Sequence, residues 1–547
     1  MQLDQIKSLF NNALAAIDID SEKEINLEIP KNPDHGDLST NIAMTLTKLL
    51  KKQPRDIAQL IIDNLKYDKT LIDSVSIAGP GFINLKFSNE YYRREYQKVI
   101  IAGNDFGRSD SAKGKKLNVE YVSVNPTGLL HLGHGRNAAI GDTIANLYEW
   151  QGWEVTREYY FNNAGNQMNN LAKSIYARYL HLLGYDDFPF PDDGYHGDYI
   201  KDIAKDIIDK IGEKYIEDSE ENLYAIRKFG EKWCFLKIKE TLERMNIKQD
   251  VFYNEDSLYK DGIIKAVIDI LNDKGFVYEK DGAKWLALSK MGLKDDRVIV
   301  KSSGEPTYRL PDIAYHREKF RRGFDLMIDV FGSDHIATVP DVLAAIRELG
   351  YDDSMVQVLV HQFVTLMEDG KQVKMSKRSG KVYTLDDLLD EVGEDVVRFF
   401  LIMRSISTHL EFDLDLAREQ SEKNPVYYLQ YAHARICSVF EKVEDQKLIN
   451  ANSDITVLDN QHEIDLIKQI LRFPEVLKVA CERNEPQYLP EYLRELASAF
   501  HVFYHNCRIL GAANEALEVA RLQLADTVRI IMKNALTVLG ISAPEKM

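Results

Sequence analysis

Two short stretches have the residue types and spacing for phosphate chemistry. His131-Leu132-Gly133-His134 directly follows a β-rich run and a turn, at the start of a segment with helical periodicity. A helix N-terminus offers unpaired N–H groups and partial positive charge, and ligands of open parallel sheets gather at the carboxyl ends of the strands. Two imidazoles one turn apart can donate to phosphate oxygens, and Gly133 between them lets a flat base approach the backbone. The plainer readings are a two-histidine metal site and ordinary capping histidines. The second stretch, Lys374-Met375-Ser376-Lys377-Arg378-Ser379-Gly380, lies between a turn at Asp369-Gly370 and a helix beginning near Thr384. Its lysines can swing onto polyphosphate as it becomes a leaving group, and its plainer reading is a solvated basic loop. The chain contains no G-x-x-x-x-G-K-[ST], no G-x-G-x-x-G and no H-E-x-x-H, so the usual phosphate cradles and the zinc-protease helix are excluded.

These stretches need elements to hold them. Leu117–Val124 predicts a strand, Asn125-Pro126-Thr127-Gly128 a break, and His131–Trp150 a helix, which together open an α/β layer. Helices dominate from about 163 to 275, and a hairpin about Asp281-Gly282 follows. Strand Asp325–Phe331, helix Ile336–Leu349 and strand Met355–Val360 then resume the α/β pattern, so a mostly helical insertion, at about 165–290, splits it. From Thr384 the pattern is almost entirely helical, ending in a bundle. Upstream, helical periodicity over Asn41–Leu65 is broken by Pro54, and strands Val75–Ala78 and Phe82–Phe87 flank Gly79-Pro80-Gly81. Gly103–Lys116 reads as a linker. The expected layout is an α+β domain at 1–112, a catalytic α/β domain at 113–400 and a helical domain at 401–547.

Composition limits the partners. The 547 residues are 45% hydrophobic and 28% charged, an ordinary globular balance that excludes disorder and fibrous repeats. No apolar run approaches the ~18 residues of a membrane span, and the first residues lack a secretory signal's basic-then-apolar pattern. Cys234, Cys437, Cys481 and Cys507 form no Cys-x-x-Cys pair, so reduced thiols in a cytoplasmic protein are expected, with no zinc site. The net charge of −17 opposes non-specific nucleic-acid binding. However, residues 1–111 carry 14 basic and 16 acidic side chains, and residues 425–547 carry 13 and 16. Both ends are near neutral, which permits a nucleic-acid partner.

Taken together and in this order, HLGH and KMSKR resemble the HIGH and KMSKS signatures of class I aminoacyl-tRNA synthetases. Each departs at one position and keeps the histidines, the glycine and both signature lysines. EYVSVNPTGLLHLGHGRNAAIGD, FNNAGNQM, NPVYYLQYAHARICS and the ending LTVLGISAPEKM are similar to the arginyl-tRNA synthetase family, and NPDHGDLSTNIA and AGPGFINLKF to its extra N-terminal domain. The resemblance implies a Rossmann-type parallel-sheet catalytic domain, an anticodon-binding helical bundle and an N-terminal domain touching the tRNA elbow. It also implies ATP and L-arginine as substrates, Mg²⁺ with the ATP, arginine tRNA as partner and a monomer.

Matched position by position, the family puts His131, His134, Lys374 and Lys377 in catalysis. Gly133, Met375 and Ser376 would contact ATP, as would Gly332, Asp334 and His335 of the segment resembling the class's nucleotide-ribose stretch. Glu120, Asn125, Tyr308 and Asp312 match the arginine pocket, which suits a cation with five N–H donors. Glu120 could equally be an edge-strand charge, and Asp312, after Pro311, a first-turn residue favoured by the helix dipole. Tyr427, Tyr431 and Arg435 share a helical face (i, i+4, i+8) and could stack on splayed bases or form a core stripe. Phe82 and Asn84 match D-loop contacts. Cysteinyl-tRNA synthetase, which would need a zinc site for the thiol, and a non-catalytic tRNA-binding paralogue are the alternatives.

Overall fold

The computed structural model describes residues 3–19, 24–30, 32–333, 336–373, 383–443 and 453–547. Its central layer starts with β1 (Lys116–Glu120), which buries Leu117 and Val119 completely, and continues into helix α1 (Leu132–Trp150) and strand β2 (Glu154–Phe161). Three helices follow, α2 (Gly165–Leu182), α3 (Asp198–Ile211) and α4 (Glu220–Arg244), before strand β3 (Val251–Asn254). Helix α5 (Arg309–Arg321) precedes β4 (Leu326–Gly332), and β5 (Val356–His361) closes the layer. The five strands are parallel in the order β5-β4-β1-β2-β3. The order reverses between β1 and β4, and the carboxyl ends of those two strands flank the crevice where a doubly wound sheet binds its ligand.

The expected insertion therefore contains β3, a strand of the sheet. Its four half-buried residues carry no period that separates a short edge strand from a loop. Likewise β1 stops at Glu120 instead of running to Val124. Val122 and Ser123 take positive φ values of 69° and 46°, a conformation that a β-branched valine adopts only when its surroundings hold it there. The Val122 N–H donates to Asn137 Oδ1 at 2.6 Å and the Ser123 hydroxyl to Glu120 Oε1 at 3.0 Å, which fixes the turn.

Beyond β5 comes a small sheet: β6 (Val364–Glu368) pairs antiparallel with β7 (Lys371–Gln372) and parallel with β8 (Leu410–Asp413). Helix α6 (Leu385–Val392) lies between β7 and β8 in sequence. The hairpin about Asp281-Gly282 forms as expected, with strands Val277–Lys280 and Ala283–Leu286 and both turn residues at positive φ.

The chain folds as two compact units. One is residues 107–435, 474–494 and 532–547, the sheet with its helices. In it Asn146 Nδ2 donates to Val538 O at 3.0 Å and Asn484 Nδ2 to Gln357 Oε1 at 2.8 Å. The other joins residues 1–106 with 436–473 and 495–531. It holds an antiparallel sheet with Phe82–Phe87 between Leu38–Thr40 and Ile72–Ala78. Helix Asn89–Ala102 is bound there through Tyr96 to Thr527 at 2.9 Å and through Arg93 to Leu458 O at 2.9 Å. The Asn41–Leu65 helix breaks into shorter pieces, and Pro54 starts a new helix, where its missing N–H costs nothing.

Helix α1 is packed so closely on the turn after β1 that a Cβ on Gly141 would lie 2.3 Å from Tyr121 Cγ. Alanine would improve helix propensity by ~1 kcal/mol, but overpacking costs about 1–3 kcal/mol and should win. Gly141→Ala is expected to lower the melting temperature in scanning calorimetry. An unchanged or raised value would mean that Tyr121 turns aside freely.

Candidate active site

The first turn of α1 is built by its own histidines. His131 is the N-cap, and its Nδ1 accepts from the N–H of Gly133 at 3.1 Å and of His134 at 3.4 Å, while His134 Nδ1 accepts from the His131 N–H at 3.3 Å. The rings stack with centroids 3.4 Å apart. A Cβ on Gly133 would meet the His131 ring at 3.1 Å, so glycine is what leaves room. Capping and phosphate binding thus cease to be alternatives. With Nδ1 accepting, each neutral ring carries its proton on Nε2, and the cap itself fixes the donor. Burial, helped by His131 and His361, pulls His134 down to about 3, and burial lowers His131 as well. Both rings are neutral at physiological pH, so the positive character of this turn comes from the helix terminus.

The second feature is a row of buried acids. Asp329 of β4, Glu120 of β1 and Glu158 of β2 are laterally paired, and all three are nearly or fully buried. Helix α5 answers them along one face. Lys319 Nζ reaches Glu120 and Asp329, each at 2.6 Å, and His316 Nε2 lies 2.8 Å from Asp329. Tyr315 donates to Glu158 at 2.5 Å, and Arg322, just past the helix, grips Glu158 with two bonds of 2.6 and 2.7 Å. Burial pulls the Lys319 ammonium down, but Asp329, Glu120 and Glu158 more than compensate and hold it above its usual value. Burial raises Asp329 too, but Lys319 and His316 outweigh it, and this carboxylate sits below the usual range. Glu120 is pushed up by burial against the pull of Lys319.

Asp312 is on the same face, one turn before His316. It is half-buried, and its carboxylate has no hydrogen-bond partner among the described residues. Burial, opposed by His316 and aided by the charges of Glu120, Glu255 and Asp329, raises it to about 7. Glu255, just past β3, accepts from Tyr160 at 2.8 Å and Tyr259 at 3.3 Å, and burial raises it also. The rings of Tyr160 and Tyr253 pack 4.5 and 4.9 Å from Tyr315 beneath. This is an anionic hollow with aromatic walls, in which Asp312 has no partner among the described residues.

The expected pocket residues part company here. Glu120 is saturated by Lys319 and Ser123, and Asp312 is available. Asn125 bonds the loop after β1 to the chain after β2, accepting from the Asn162 N–H at 3.0 Å and donating to Gln167 at 3.1 Å. Tyr308 is the residue before α5, and its side chain is 79% exposed. Gly332 ends β4 beside His361. Asp334, His335, Lys374, Met375, Ser376 and Lys377 lie outside the described residues. Tyr427 and Tyr431 stack 6.2 Å apart with Arg435 over the second ring at 6.0 Å, all half-buried. Phe82 is half-buried, whereas Asn84 is 3% exposed and accepts from Ser39 at 2.7 Å, which turns it into the sheet and away from any surface.

Glu158, Glu255, His316, Lys319, Arg322 and Asp329 were not singled out in the sequence. A signal existed: residues 312, 315, 316, 319 and 322 recur at helical spacing with charged or aromatic side chains, and Asp329 interrupts the apolar run LMIDVF.

A doubly wound sheet with a HIGH-like imidazole pair at its switch point defines a class I aminoacyl-tRNA synthetase. Residues 95–403 match the family described as tRNA synthetases class I (R), catalytic domain; residues 4–87 match Arginyl tRNA synthetase N terminal domain, and 429–547 match DALR anticodon binding domain. The arginine–tRNA ligase of Salinibacter ruber is 48% identical over 100% of both chains. A crystal structure titled as a putative arginyl tRNA synthetase from Campylobacter jejuni is 34% identical with a TM-score of 0.78, covering 84% of this chain and 100% of that one. The arginyl-tRNA synthetase of Thermus thermophilus, 23% identical with a TM-score of 0.74 over all of both chains, has the same fold. The chain belongs to the arginyl-tRNA synthetase family.

An acid that titrates near 7 predicts a pH effect of definite sign. Below pH 7 Asp312 is protonated and cannot pair with guanidinium; above it the carboxylate forms. With Asp312 as the guanidinium's partner, the Michaelis constant for arginine should fall about five- to tenfold from pH 6 to pH 8. Asp312→Asn should raise it throughout and flatten the profile. A wild-type profile flat over that range would place the guanidinium elsewhere.

Proposed function

We propose that the two clusters act on one substrate pair: the anionic hollow seats the arginine guanidinium, and the α1 N-terminus holds the triphosphate of ATP. The overall reaction is arginine–tRNA ligation. The arginine carboxylate attacks the α-phosphorus in line, forming arginyl-adenylate as pyrophosphate leaves. The 2′-hydroxyl of the tRNA's terminal adenosine then attacks the activated carbonyl, and AMP departs. The carboxylate is already ionised, so the first step needs no general base, and catalysis is positioning plus charge stabilisation. His131 and His134 donate Nε2–H to phosphate oxygens, and Lys374 and Lys377 take up charge on the leaving pyrophosphate. Mg²⁺ arrives with ATP as part of the substrate, in the manner usual for this ion.

The observation that carries this reading is the Asp312 carboxylate, without a partner among the described residues, beside a row of strand acids already answered by Lys319, His316 and Arg322. An unpaired acid there gains a charge-assisted, forked pair from guanidinium. A thiol would gain nothing from it, which favours arginine over cysteine. The half-buried stack of Tyr427, Tyr431 and Arg435 suits anticodon bases, and Phe82 suits the tRNA elbow. A monomer working in the cytoplasm completes the proposal.

Arginine-dependent ATP–pyrophosphate exchange, run with arginine tRNA present, tests the assignment. His134→Ala and Lys377→Ala should each slow exchange about 10²–10³-fold, roughly 3–4 kcal/mol, the loss of one transition-state donor. Arginine binding should hardly change. Rates within threefold of wild type would remove these residues from the mechanism.

A further inference from the structure

We propose that Arg398 is a positioning residue: it joins the HLGH helix to the ends of two other helices, and so holds the imidazole pair at a fixed place relative to the anionic hollow. This rests on the function proposed above.

Arg398 lies in α7 (Glu394–Ile402) and is 1% exposed. Each nitrogen of its guanidinium has a partner on a different element. Nη2 pairs with the Asp142 carboxylate of α1, Nη1 donates to Met245 O at 2.7 Å, and Nε donates to Leu539 O at 2.5 Å. Met245 directly follows α4, and Leu539 ends the last helix, Glu515–Leu539. All of these residues belong to the unit that holds the parallel sheet.

The two carbonyls occupy equivalent places. After α4 the Asn246 N–H donates to Glu243 O and the Ile247 N–H to Leu242 O; after the last helix the Gly540 N–H donates to Thr537 O and the Ile541 N–H to Leu536 O. Asn246 and Gly540 take positive φ values of 57° and 69°. This helix stop returns two bonds to the final turn and leaves the carbonyl just before the left-handed residue without an internal donor. Those carbonyls are Met245 and Leu539, and Arg398 takes both, at the negative pole of each helix. A Cβ on Gly540 would lie 2.2 Å from Arg398 Cζ, so glycine both makes the turn and admits the guanidinium. A second tie lies alongside: Asn146 Nδ2 of α1 donates to Val538 O at 3.0 Å.

The joint stands behind both ends of the site. Asp142 follows His134 by eight residues on the same helix, and it also accepts from the Tyr121 hydroxyl at 3.3 Å, next to Glu120 at the end of β1. Arg157 of β2 lies 3.6 Å from Asp142 and donates to Asn146 at 2.7 Å. From Met245 the chain runs into β3, which ends at Asn254, directly before Glu255 of the hollow. One planar fork thus sets α1, with its histidines, against the segment that leads to the hollow; a lysine would reach only one of the three partners. In-line attack needs reacting atoms placed closely, and a misplacement of about 1 Å can cost roughly 10²-fold in rate. Loosening the fork should therefore slow the chemical step while each end goes on binding its own ligand.

The test is Arg398→Lys in ATP–pyrophosphate exchange with arginine tRNA present, alone and combined with His134→Ala, with rates referred to folded protein. Expected alone is a roughly tenfold fall in kcat, with the Michaelis constants for ATP and arginine within threefold. In the His134→Ala background the same change should cost less than threefold, because the donor that Arg398 places is gone. A kcat within twofold of wild type, as for a joint that only stabilises the fold, a loss confined to the Michaelis constants, or a full tenfold loss in the His134→Ala background would each overturn the proposal. If His134→Ala alone changes nothing, the proposed function fails instead, and this inference falls with it. Should the lysine variant not fold, Gly540→Ala, whose methyl group displaces the guanidinium from the side of the last helix, is read through the same cycle with the same outcomes.

Discussion

Everything at the substrate end of the sheet depends on Lys319. Three adjacent strands each present a carboxylate at the same level of a nearly water-free layer, and side-by-side anions in such a place repel strongly. The Lys319 ammonium between Glu120 and Asp329, with His316 and Arg322 flanking it, makes the row tolerable. Removing one member of a buried ion pair costs about 3–5 kcal/mol, a large share of a domain's stability. The rotation of α5 is therefore hardly adjustable. Asp312 and Tyr315 share its face with Lys319, so neutralising the row also sets the depth and direction of Asp312.

The same economy governs the first turn of α1. A histidine is a poor fixed donor by itself, because either ring nitrogen can carry the proton. Here the cap removes that freedom, since Nδ1 of each ring accepts a main-chain N–H. Tautomer, ring orientation and helix start are settled by one set of contacts. The strained turn at Val122 works similarly: its left-handed conformation is held by Asn137 of α1, so the strand end bearing Glu120 and the helix bearing the histidines cannot move independently. Strain held by surrounding contacts is a common attribute of sites that must be ready before the ligand arrives.

The unit boundaries carry a related lesson. The helical carboxyl-terminal residues read as a single block in the sequence, yet 474–494 and 532–547 cluster with the catalytic sheet, and 436–473 and 495–531 with the first 106 residues. Long helices make this possible: Glu515–Leu539 gives its first part to one cluster and its last turns to the other. A helix that belongs to two cores is invisible to periodicity, which reports a buried face without saying what buries it.

The sequence by itself determined the class of chemistry. HLGH after a strand and a turn, KMSKR after a turn, and their order along the chain are local patterns, and local patterns survive without knowledge of the fold. The alternation of strand and helix, the Asp281-Gly282 hairpin and the stacked face of Tyr427 and Tyr431 were legible for the same reason. The tertiary structure alone decided which acids are free. Glu120 and Asp312 look alike in sequence, but one is consumed by a lysine 199 positions away and the other is not. Tyr308, four residues from Asp312, is left in solvent, and Asn84 is turned into its sheet. Pairing, burial and the shift of a carboxyl toward 7 arise from charges brought together across strands, and no spacing along the chain records that.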